Sequence, residues 1–407
     1  MARKVHGLAI TDHEFSLLLD HANPAGEKID VFAREIAAAG GEDKPYLVFL
    51  QGGPGSEAPR PATPDNPPWL PRALEDYRVL LLDQRGTGRS TPVGTLPGMT
   101  PHEQYAYLLN FRADSIVRDA EAIRQELGVE KWSVLGQSFG SFCTVTYLSR
   151  FGGALNEAYF TAGLPAVGRP VDDVYDTTYA LMRERNRRFY ERYPEDRDKV
   201  RAIVERLESE DVRLPGGDRL TARRFRQLGH AFGMSDGFEA VHYLIDFPFG
   251  SPAFLYGVEQ ETAFGRTPIY AILHEACWAD GGATRWAAER VMPDDFRSTP
   301  ELLTGEVIYP WMFEDEAALA PLREAAELLA EHEWGRLYDG DALERNEVPA
   351  AAAIYADDPY VPRVFAEETA ARIPGLQVWL TNEFLHGGLR QDTRVLDRLI
   401  GLARGTI

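Results

Sequence analysis

One short segment, Gly136-Gln137-Ser138-Phe139-Gly140, constrains the fold of this chain more than any other. It follows an apolar run at residues 131–135 that predicts a buried strand, and it precedes residues 141–149, which have a helical apolar face. A Gly-x-Ser-x-Gly sequence between a strand and a helix is typical of a sharp turn that exposes the serine hydroxyl. Glycines are expected on both sides because neighbouring backbone would crowd a Cβ. A serine alone is a weak nucleophile, so Ser138 needs a base, an acid and an oxyanion site elsewhere.

Size, charge and cysteine content restrict the kind of protein. The 407 residues suffice for one large domain with a long insertion or for two domains, and their composition, 44% hydrophobic and 26% charged, predicts an ordered globular chain. The net charge of −20 argues against nucleic acid or an anionic membrane surface as a partner. The N-terminal segment lacks the apolar core of a signal peptide, no stretch approaches a membrane span, and two cysteines are too few for a disulfide framework. We therefore expect a cytoplasmic protein; the sequence does not indicate its oligomeric state.

Strand patterns alternate with helical patterns over the first 165 residues. Residues 5–20 and 27–37 alternate apolar and polar side chains and predict antiparallel strands at a sheet edge. Further strands are predicted at residues 45–50, 77–83 and 156–161, and a helix at residues 114–127. Glycine-rich turns follow the strands at 45–50 and 77–83. This order predicts an α/β fold with a mostly parallel sheet.

From about residue 166 to 345 the chain is rich in Arg, Glu, Asp and aromatic residues, and helical patterns replace the strands. The expected long helices cover residues 172–193, 199–208 and 314–338. Because the segment is too long for a connecting loop, it predicts a helical cap inserted between two parts of the core, residues 1–165 and 346–407. Strands resume at residues 350–355 and 377–381, and residues 396–403 predict a closing helix.

The candidate base and acid for Ser138 follow the last two strands. In α/β enzymes with such a serine, the order along the chain is serine, acid, histidine, and the last two stand on late strand-end loops. His386 is the only one of the nine histidines beyond the resumed sheet, and glycines flank it. The acid should follow the strand at 350–355, where Asp357 and Asp358 both stand. Asp358 is favoured, but spacing alone does not separate adjacent carboxylates, and the other would be a solvated turn residue.

An oxyanion site requires two backbone N–H groups. One is expected from Phe139, the residue after the nucleophile, and the other from a glycine-rich turn after an early strand. Residues 52–55, Gly-Gly-Pro-Gly, supply such a turn, and Gly53 is the candidate donor. A phosphate cradle is the competing interpretation of this turn, but the Gly-Lys-Ser/Thr ending and the Gly-x-Gly-x-x-Gly fingerprint are both missing from it.

Four segments together resemble the proline iminopeptidase (prolyl aminopeptidase) family, a branch of the α/β-hydrolases that removes N-terminal proline. They are Gln51–Gly55, Asp83–Ser90, Gly136–Gly140 and Glu383–Leu389. The likeness covers both ends of the chain, and the long insertion is similar to the enlarged helical cap of the longer members. Many members carry His where this chain has Gln51, a position outside the triad. The resemblance implies an α/β-hydrolase fold and a serine peptidase that needs no metal or other cofactor. Its catalytic triad would be Ser138, Asp358 and His386.

The resemblance also implies that cap glutamates bind the cationic N-terminus of a small peptide substrate that begins with proline. Residues 270–275 and 304–311 match that expectation and nominate Glu275 and Glu306 as substrate-binding residues. A secondary ammonium carried into a closed site needs a compensating carboxylate. From spacing alone, both glutamates are ordinary helix-surface charges. His274, Glu275 and Cys277 stand close together, but one such cluster is too little to predict a metal site.

Two other classes of function stay open. An esterase or amidase could use the same triad on a non-peptide small molecule, and a non-catalytic binding protein could use the same scaffold. The presence of Ser138, Asp358 and His386 argues against the second class. The sequence does not predict the tolerance for residues other than proline, the limit on peptide length or the physiological substrate.

Overall fold

The computed structural model describes residues 3–61 and 63–407, in which nine strands form one sheet. The strands are β1 (Arg3–Val5), β2 (Leu8–Leu18), β3 (Lys28–Ala38), β4 (Tyr46–Leu50), β5 (Arg78–Leu82), β6 (Trp132–Gln137), β7 (Leu155–Thr161), β8 (Ala350–Tyr355) and β9 (Leu376–Thr381). Their order across the sheet is β1-β2-β3-β5-β4-β6-β7-β8-β9.

The sheet has an antiparallel edge and a parallel remainder. β1, β2, β3 and β5 pair antiparallel, and β2 pairs with β3 from Leu8 opposite Ala38 to Leu18 opposite Lys28. The pairs from β5 through β4, β6, β7 and β8 to β9 are all parallel. The predicted α/β fold with a mostly parallel sheet is therefore confirmed, as are the antiparallel strands toward its edge.

Helices connect the strands from β4 onward, and a long helical segment separates β7 from β8. They are α1 (Leu70–Asp76), α2 (Pro101–Leu108), α3 (Ala113–Glu126), α4 (Phe139–Phe151), α5 (Val171–Arg192), α6 (Asp196–Ser209), α7 (Ala222–Arg226), α8 (Gly237–Asp246), α9 (Pro252–Thr262), α10 (Pro268–Trp278), α11 (Ala287–Arg290), α12 (Asp294–Ser298), α13 (Met312–Asp315), α14 (Arg323–Ala330), α15 (Gly340–Leu343), α16 (Arg363–Ala371), α17 (Gly388–Gln391) and α18 (Arg394–Ala403).

Hydrophobic clusters cover both faces of the central strands. In β4, Val48 and Leu50 pack into the cluster that contains residues of α3 and α4. Leu47 and Phe49 alternate with them and pack into the cluster that contains residues of α1 and α18. This explains why β4 is a continuous apolar run rather than an alternating one, since a strand of a parallel sheet is buried on both faces.

Between β7 and β8 the described chain forms helices α5 to α15, short 3₁₀ turns and two isolated bridges, with no strand of the sheet. The long helices predicted from residues 172 and 199 correspond to α5 and α6. The prediction of one helix over 314–338 is wrong. A break separates α13 from α14 around Pro321, which lacks the N–H that an interior helical residue donates. The rest of the predicted segment, residues 331–338, is not helical.

Four segments singled out in the sequence begin where four parallel strands end. β4, β6, β8 and β9 run in the same direction, so their carboxyl ends lie at one edge of the sheet. The glycine turn, Ser138, the aspartate pair and the His386 loop follow these four ends in turn. In open α/β sheets, ligands bind at this edge. Among the described residues, the search for a helix long and apolar enough to cross a membrane finds none.

Candidate active site

Ser138 occupies a strained turn between β6 and α4. Its backbone has φ 57° and ψ −124°, a conformation that non-glycine residues rarely adopt outside functional sites. A Cβ on Gly140 would overlap the carbonyl oxygen of Leu50, and one on Gly136 would overlap Gly140. These contacts give the physical reason for both glycines of the motif. The Ser138 N–H donates to the Thr161 carbonyl at 2.9 Å, which ties the turn to β7.

His386 and Asp358 are joined in the interior. His386 Nδ1 lies 2.8 Å from Asp358 Oδ2, and both side chains are buried. The other oxygen, Oδ1, accepts the backbone N–H groups of Tyr360 at 2.9 Å and Val361 at 3.2 Å. Asp357 faces away, with 46% of its side chain exposed, and pairs with Arg188 at 3.0 Å. The geometry therefore separates the two aspartates that the sequence could not.

The two predicted oxyanion donors, Phe139 and Gly53, follow the ends of β6 and β4. Phe139 is the first residue of α4, so its N–H has no acceptor within the helix. Gly53 and Gly52 line the same cavity as Ser138. Gln84 supports this turn, because its side-chain amide donates to the Gln51 carbonyl at 3.0 Å. The segment Asp83–Ser90 thus stabilises the segment Gln51–Gly55.

The octapeptide Asp83–Ser90 is built around its buried first residue. Asp83 accepts the backbone N–H groups of Ala58 at 3.1 Å and Arg89 at 3.0 Å, and it also pairs with Arg60. Ser90 donates to the Asp83 carbonyl at 2.6 Å and closes the loop. These bonds fix the loop under the glycine turn, and they account for its distinctive sequence without a direct role in chemistry.

A cavity of about 170 Å³ contains Ser138 and His386. Its lining residues are Gln51, Gly52, Gly53, Ser56, Gln137, Ser138, His230, Met234, Tyr270, Glu306, Tyr360, His386 and Arg390. Glu306 is thus brought to the candidate nucleophile from a distant part of the sequence, and Glu275 is not.

Three polar aromatic side chains surround Glu306. Its Oε1 accepts the Tyr270 hydroxyl at 2.5 Å, His230 Nε2 lies 3.9 Å from Oε1, and His274 Nε2 lies 3.8 Å from Oε2. Burial alone would raise the pKa of this carboxyl. The nearby imidazoles of His274, His230 and His386 outweigh burial and lower the pKa of Glu306 to about 2. Glu306 is therefore a buried anion at neutral pH.

Glu275 supports the backbone of the cap. Its Oε1 accepts the Ala288 N–H at 2.9 Å at the start of α11, and the side chain is buried. Burial raises the pKa of this carboxyl. Its neighbours in a separate small cavity include Ala271, Thr284 and Trp286 rather than residues of the triad.

His274, Glu275 and Cys277 do not converge on one point. His274 Nδ1 lies 3.2 Å from the Tyr175 hydroxyl, while Cys277 Sγ lies 3.2 Å from the Leu273 carbonyl within its own helix. Glu275 faces Ala288. The three side chains therefore have separate partners, and their closeness in the sequence reflects one buried helix, α10.

Sequence reasoning missed five residues of the cavity: Ser56, His230, Met234, Tyr360 and Arg390. Tyr360 stands two residues after Asp358 and donates its hydroxyl to the His230 carbonyl. Arg390 stands four residues after His386, so both could have been suspected from their nearness to the triad. His230 and Met234 had no such signal, because they belong to a 3₁₀ turn and the loop after it in the cap.

A larger cavity, about 490 Å³, lies at the opposite edge of the sheet. It is lined by residues at the starts of the strands, including Lys131 before β6, Leu155 in β7 and Pro349 before β8. None of the candidate triad residues lines it. Position relative to the strands, rather than size, therefore identifies the candidate site.

Several known proteins are similar to this chain in sequence or in fold. A family model described as alpha/beta hydrolase fold matches residues 45–208. A proline iminopeptidase from Aeromonas sobria is 45% identical over 98% of this chain and 97% of its own length. A proline iminopeptidase from Aspergillus aculeatus is 35% identical over 98% of this chain and 94% of its own. A solved acetylester hydrolase from Corynebacterium glutamicum aligns with a TM-score of 0.48 at 15% identity, over 97% of this chain and 95% of that one. The two relatives that align over their full length, rather than the solved structure, show the family of this chain.

Proposed function

This chain belongs to the proline iminopeptidase family and has the α/β-hydrolase fold, and we propose that it releases N-terminal proline from peptides with Ser138 as nucleophile. The observation that carries the proposal is that a buried carboxylate, Glu306, lines the same small cavity as Ser138 and His386. A serine and a histidine suit many hydrolases. The carboxylate adds selectivity for a cation beside the scissile carbonyl.

In the proposed reaction, Ser138 Oγ attacks the prolyl carbonyl while His386 Nε2 takes the hydroxyl proton. Asp358 beside Nδ1 would hold the imidazole with its proton on Nδ1, which leaves the lone pair of Nε2 free to accept the serine proton. Asp358 also stabilises the imidazolium that forms. The Tyr360 and Val361 N–H groups on its other oxygen hold that carboxylate in place.

The tetrahedral oxyanion would be bound by the N–H groups of Gly53 and Phe139. Collapse of this intermediate breaks the peptide bond, and the imidazolium of His386 gives its proton to the leaving nitrogen. Proline is then esterified to Ser138. Water, activated by His386, hydrolyses this ester and releases free proline and the serine.

Glu306 would bind the secondary ammonium of the substrate. That cation has two N–H groups, and an ionised carboxylate in a closed cavity compensates for its loss of water. The rings of Tyr270 and Tyr360 and the side chain of Met234 line the same cavity and would contact the apolar pyrrolidine ring. Fixing the ammonium places the first carbonyl of the peptide at Ser138, which makes the enzyme an exopeptidase.

The cap and the core would contribute different residues to the active site. We assign residues 166–345 to the cap, which supplies Glu306, and residues 1–165 and 346–407 to the core, which supplies the triad. Peptides are the partners that this division favours over nucleic acid or membrane. We place the protein in the cytoplasm, because its two free cysteines, Cys143 and Cys277, are buried and suit a reducing compartment.

The test of this function compares proline arylamide with N-acetyl-proline arylamide. The free amine should be cleaved and the blocked one should not, because acetylation removes the cation that Glu306 binds while the scissile bond is unchanged. Ser138→Ala should lower turnover by at least ~10⁴-fold. Equal cleavage of both arylamides would replace the aminopeptidase with an esterase or amidase acting on uncharged small molecules.

Glu306→Gln and Glu275→Gln form a matched pair for the ammonium site. Glu306→Gln should lower kcat/KM for proline arylamide by roughly 10²-fold, the equivalent of a few kcal/mol, because it removes the charge from the cavity. Glu275→Gln should have a much smaller effect, because its amide oxygen can still accept the Ala288 N–H. A 10²-fold loss in Glu275→Gln with an intact Glu306→Gln would reverse the assignment.

A further inference from the structure

The cavity around Ser138 contains one carboxylate and one guanidinium among its lining side chains. The carboxylate is Glu306, and the guanidinium belongs to Arg390 in α17. Glu306 is largely enclosed, with 13% of its side chain exposed, whereas Arg390 is exposed. The cavity therefore has a negative interior and a positive charge toward solvent.

Arg390 has no carboxylate partner within the described part of the chain. No acidic side chain contributes to its electrostatic surroundings, in which Tyr360 and Tyr355 are the neighbouring titratable groups. Arg394, one helical turn further on, pairs with Asp392 at 2.6 Å and with Glu383 at 3.4 Å. The unpaired arginine is thus the one that lines the cavity, and its charge is available to a ligand.

Arg390 lines the cavity and follows His386 closely along the chain, and the leaving group must lie beside His386. In the proposed reaction His386 protonates the leaving nitrogen, so the residue after the scissile bond lies beside His386. Arg390 follows His386 by four residues, and its N–H donates to the Gly387 carbonyl at 2.9 Å in the same turn. In a dipeptide, the C-terminal carboxylate is attached to the Cα that follows the leaving nitrogen. With the ammonium on Glu306, that carboxylate would extend toward the guanidinium of Arg390, which lines the same cavity.

We propose that Arg390 binds the C-terminal carboxylate of a prolyl dipeptide, so that the enzyme prefers dipeptides to longer or C-terminally blocked substrates. This inference rests on the proposed function. The substrate is then recognised as a zwitterion, with its ammonium on Glu306, its scissile carbonyl at Ser138 and its carboxylate on Arg390. Arginine suits this position because its planar guanidinium can donate two parallel hydrogen bonds to a carboxylate.

The experiment measures kcat/KM for prolyl-glycine and for prolyl-glycinamide, which differ only in the charge of the C-terminus. In the wild type the free acid should be preferred by at least ~10-fold, which corresponds to about 1.4 kcal/mol. Arg390→Gln should reduce this ratio about 10-fold, and Arg390→Lys should retain part of it. Arg394→Gln, a neighbouring arginine outside the cavity, should keep the wild-type ratio.

The ratio separates recognition from a structural role. A variant that merely disturbs the site would slow both substrates alike and leave the ratio unchanged, and that result for Arg390→Gln would overturn the inference. Raising the ionic strength should shrink the wild-type ratio, because a charge pair near solvent is screened. If proline arylamide is cleaved while the ratio does not respond to Arg390, only this inference fails. If proline arylamide is not cleaved by the wild type, the proposed function itself fails.

Discussion

Two adjacent aspartates in this chain have opposite surroundings. Asp358 is enclosed and bonded to His386 and two backbone N–H groups, whereas Asp357 is half exposed beside Arg188. We predict that Asp358→Asn lowers kcat for proline arylamide by about 10⁴-fold, because an amide favours the wrong imidazole tautomer and cannot stabilise the imidazolium. Asp357→Asn should keep kcat within a few-fold.

Steady-state kinetics of the two variants check this ranking, with far-UV circular dichroism to verify that each is folded. The two substitutions are chemically identical and differ by one position, so each is the control for the other. A severe loss in Asp357→Asn with a mild one in Asp358→Asn would move the acid back one residue.

Single residues of the site were predictable from sequence when backbone geometry dictates them. Ser138 and its glycines follow from crowding at one turn, and His386 follows from its place after the last strand. The choice between Glu275 and Glu306 did not follow, because both stand in aromatic cap segments and differ only in what the fold brings near them. Which of them reaches Ser138 depends on the packing of the cap, and local sequence carries no record of that.

At the level of elements, the cap helix α10 rests on two glycine turns of the core through one side chain. A Cβ on Gly55 would overlap Ile269 Cγ2, and one on Gly86 would lie 2.8 Å from Ile269 Cδ1. The next residue, Tyr270, holds Glu306. The contact between α10 and the glycine turns therefore couples the oxyanion turn to the substrate-binding side of the cavity.

We predict that Gly55→Ala destabilises the protein more than Gly40→Ala and also raises KM for proline arylamide. Both glycines have positive φ, +104° and +77°, so both variants carry backbone strain of about 1–2 kcal/mol. Gly40 has open space around it, whereas Gly55 would meet Ile269 and the Tyr270 N–H. Overpacking should add a further ~1–3 kcal/mol and displace α10.

Urea unfolding and arylamide kinetics of both variants test this coupling. Gly40→Ala reports the cost of strain alone and should leave KM unchanged, since it lies in a distant turn. If Gly55→Ala matches Gly40→Ala in both stability and KM, the contact with Ile269 does not position the cap.

Elements with a clear period were predicted and those without one were not. Strands β2 to β9 and the helices α3, α4, α5, α6 and α18 correspond to the predicted segments within a few residues, whereas the short edge strand β1 was not predicted separately from β2. The predicted helix over 314–338 is broken because one proline outweighs its helical pattern. The 3₁₀ turn Gln227–Gly233, which carries His230, has no hydrophobic period that would have revealed it.

In the molecule as a whole, cap and core share one hydrophobic cluster. Buried residues of the sheet, such as Val134 and Phe160, belong to the same cluster as Phe189 and Phe232 of the cap. The cavity is likewise formed by both parts of the chain. The core contributes Ser138, His386 and Arg390, and the cap contributes Glu306 and His230. The charge state of the cavity is therefore linked to the stability of the whole fold.

Two groups of the cavity determine how that stability depends on pH. Burial lowers the pKa of His230, so between the ordinary histidine value of 6.5 and its folded value the unfolded chain binds a proton that the native protein does not. Stability from this group must fall as the pH falls through that window. The pKa of Glu306, by contrast, is lowered from 4.5 to about 2, so its contribution is complete above pH 4.5 and is lost only below it.

We predict that His230→Gln loses less free energy of unfolding than the wild type when the pH is lowered from 7.5 to 5.5. The slope of unfolding free energy against pH should be shallower in this variant, because it lacks the imidazole that takes up a proton on unfolding. Urea unfolding at pH 7.5, 6.5 and 5.5 measures it, in a range where Glu306 stays ionised and the net charge stays negative above the isoelectric point of 4.9. The exposed His102 gives the matched control, and His102→Gln should follow the wild-type slope. Parallel slopes for the wild type and His230→Gln would mean that this imidazole is protonated alike in the native and unfolded states, which would contradict the lowering of its pKa by desolvation beside the rings of Tyr270 and Tyr360.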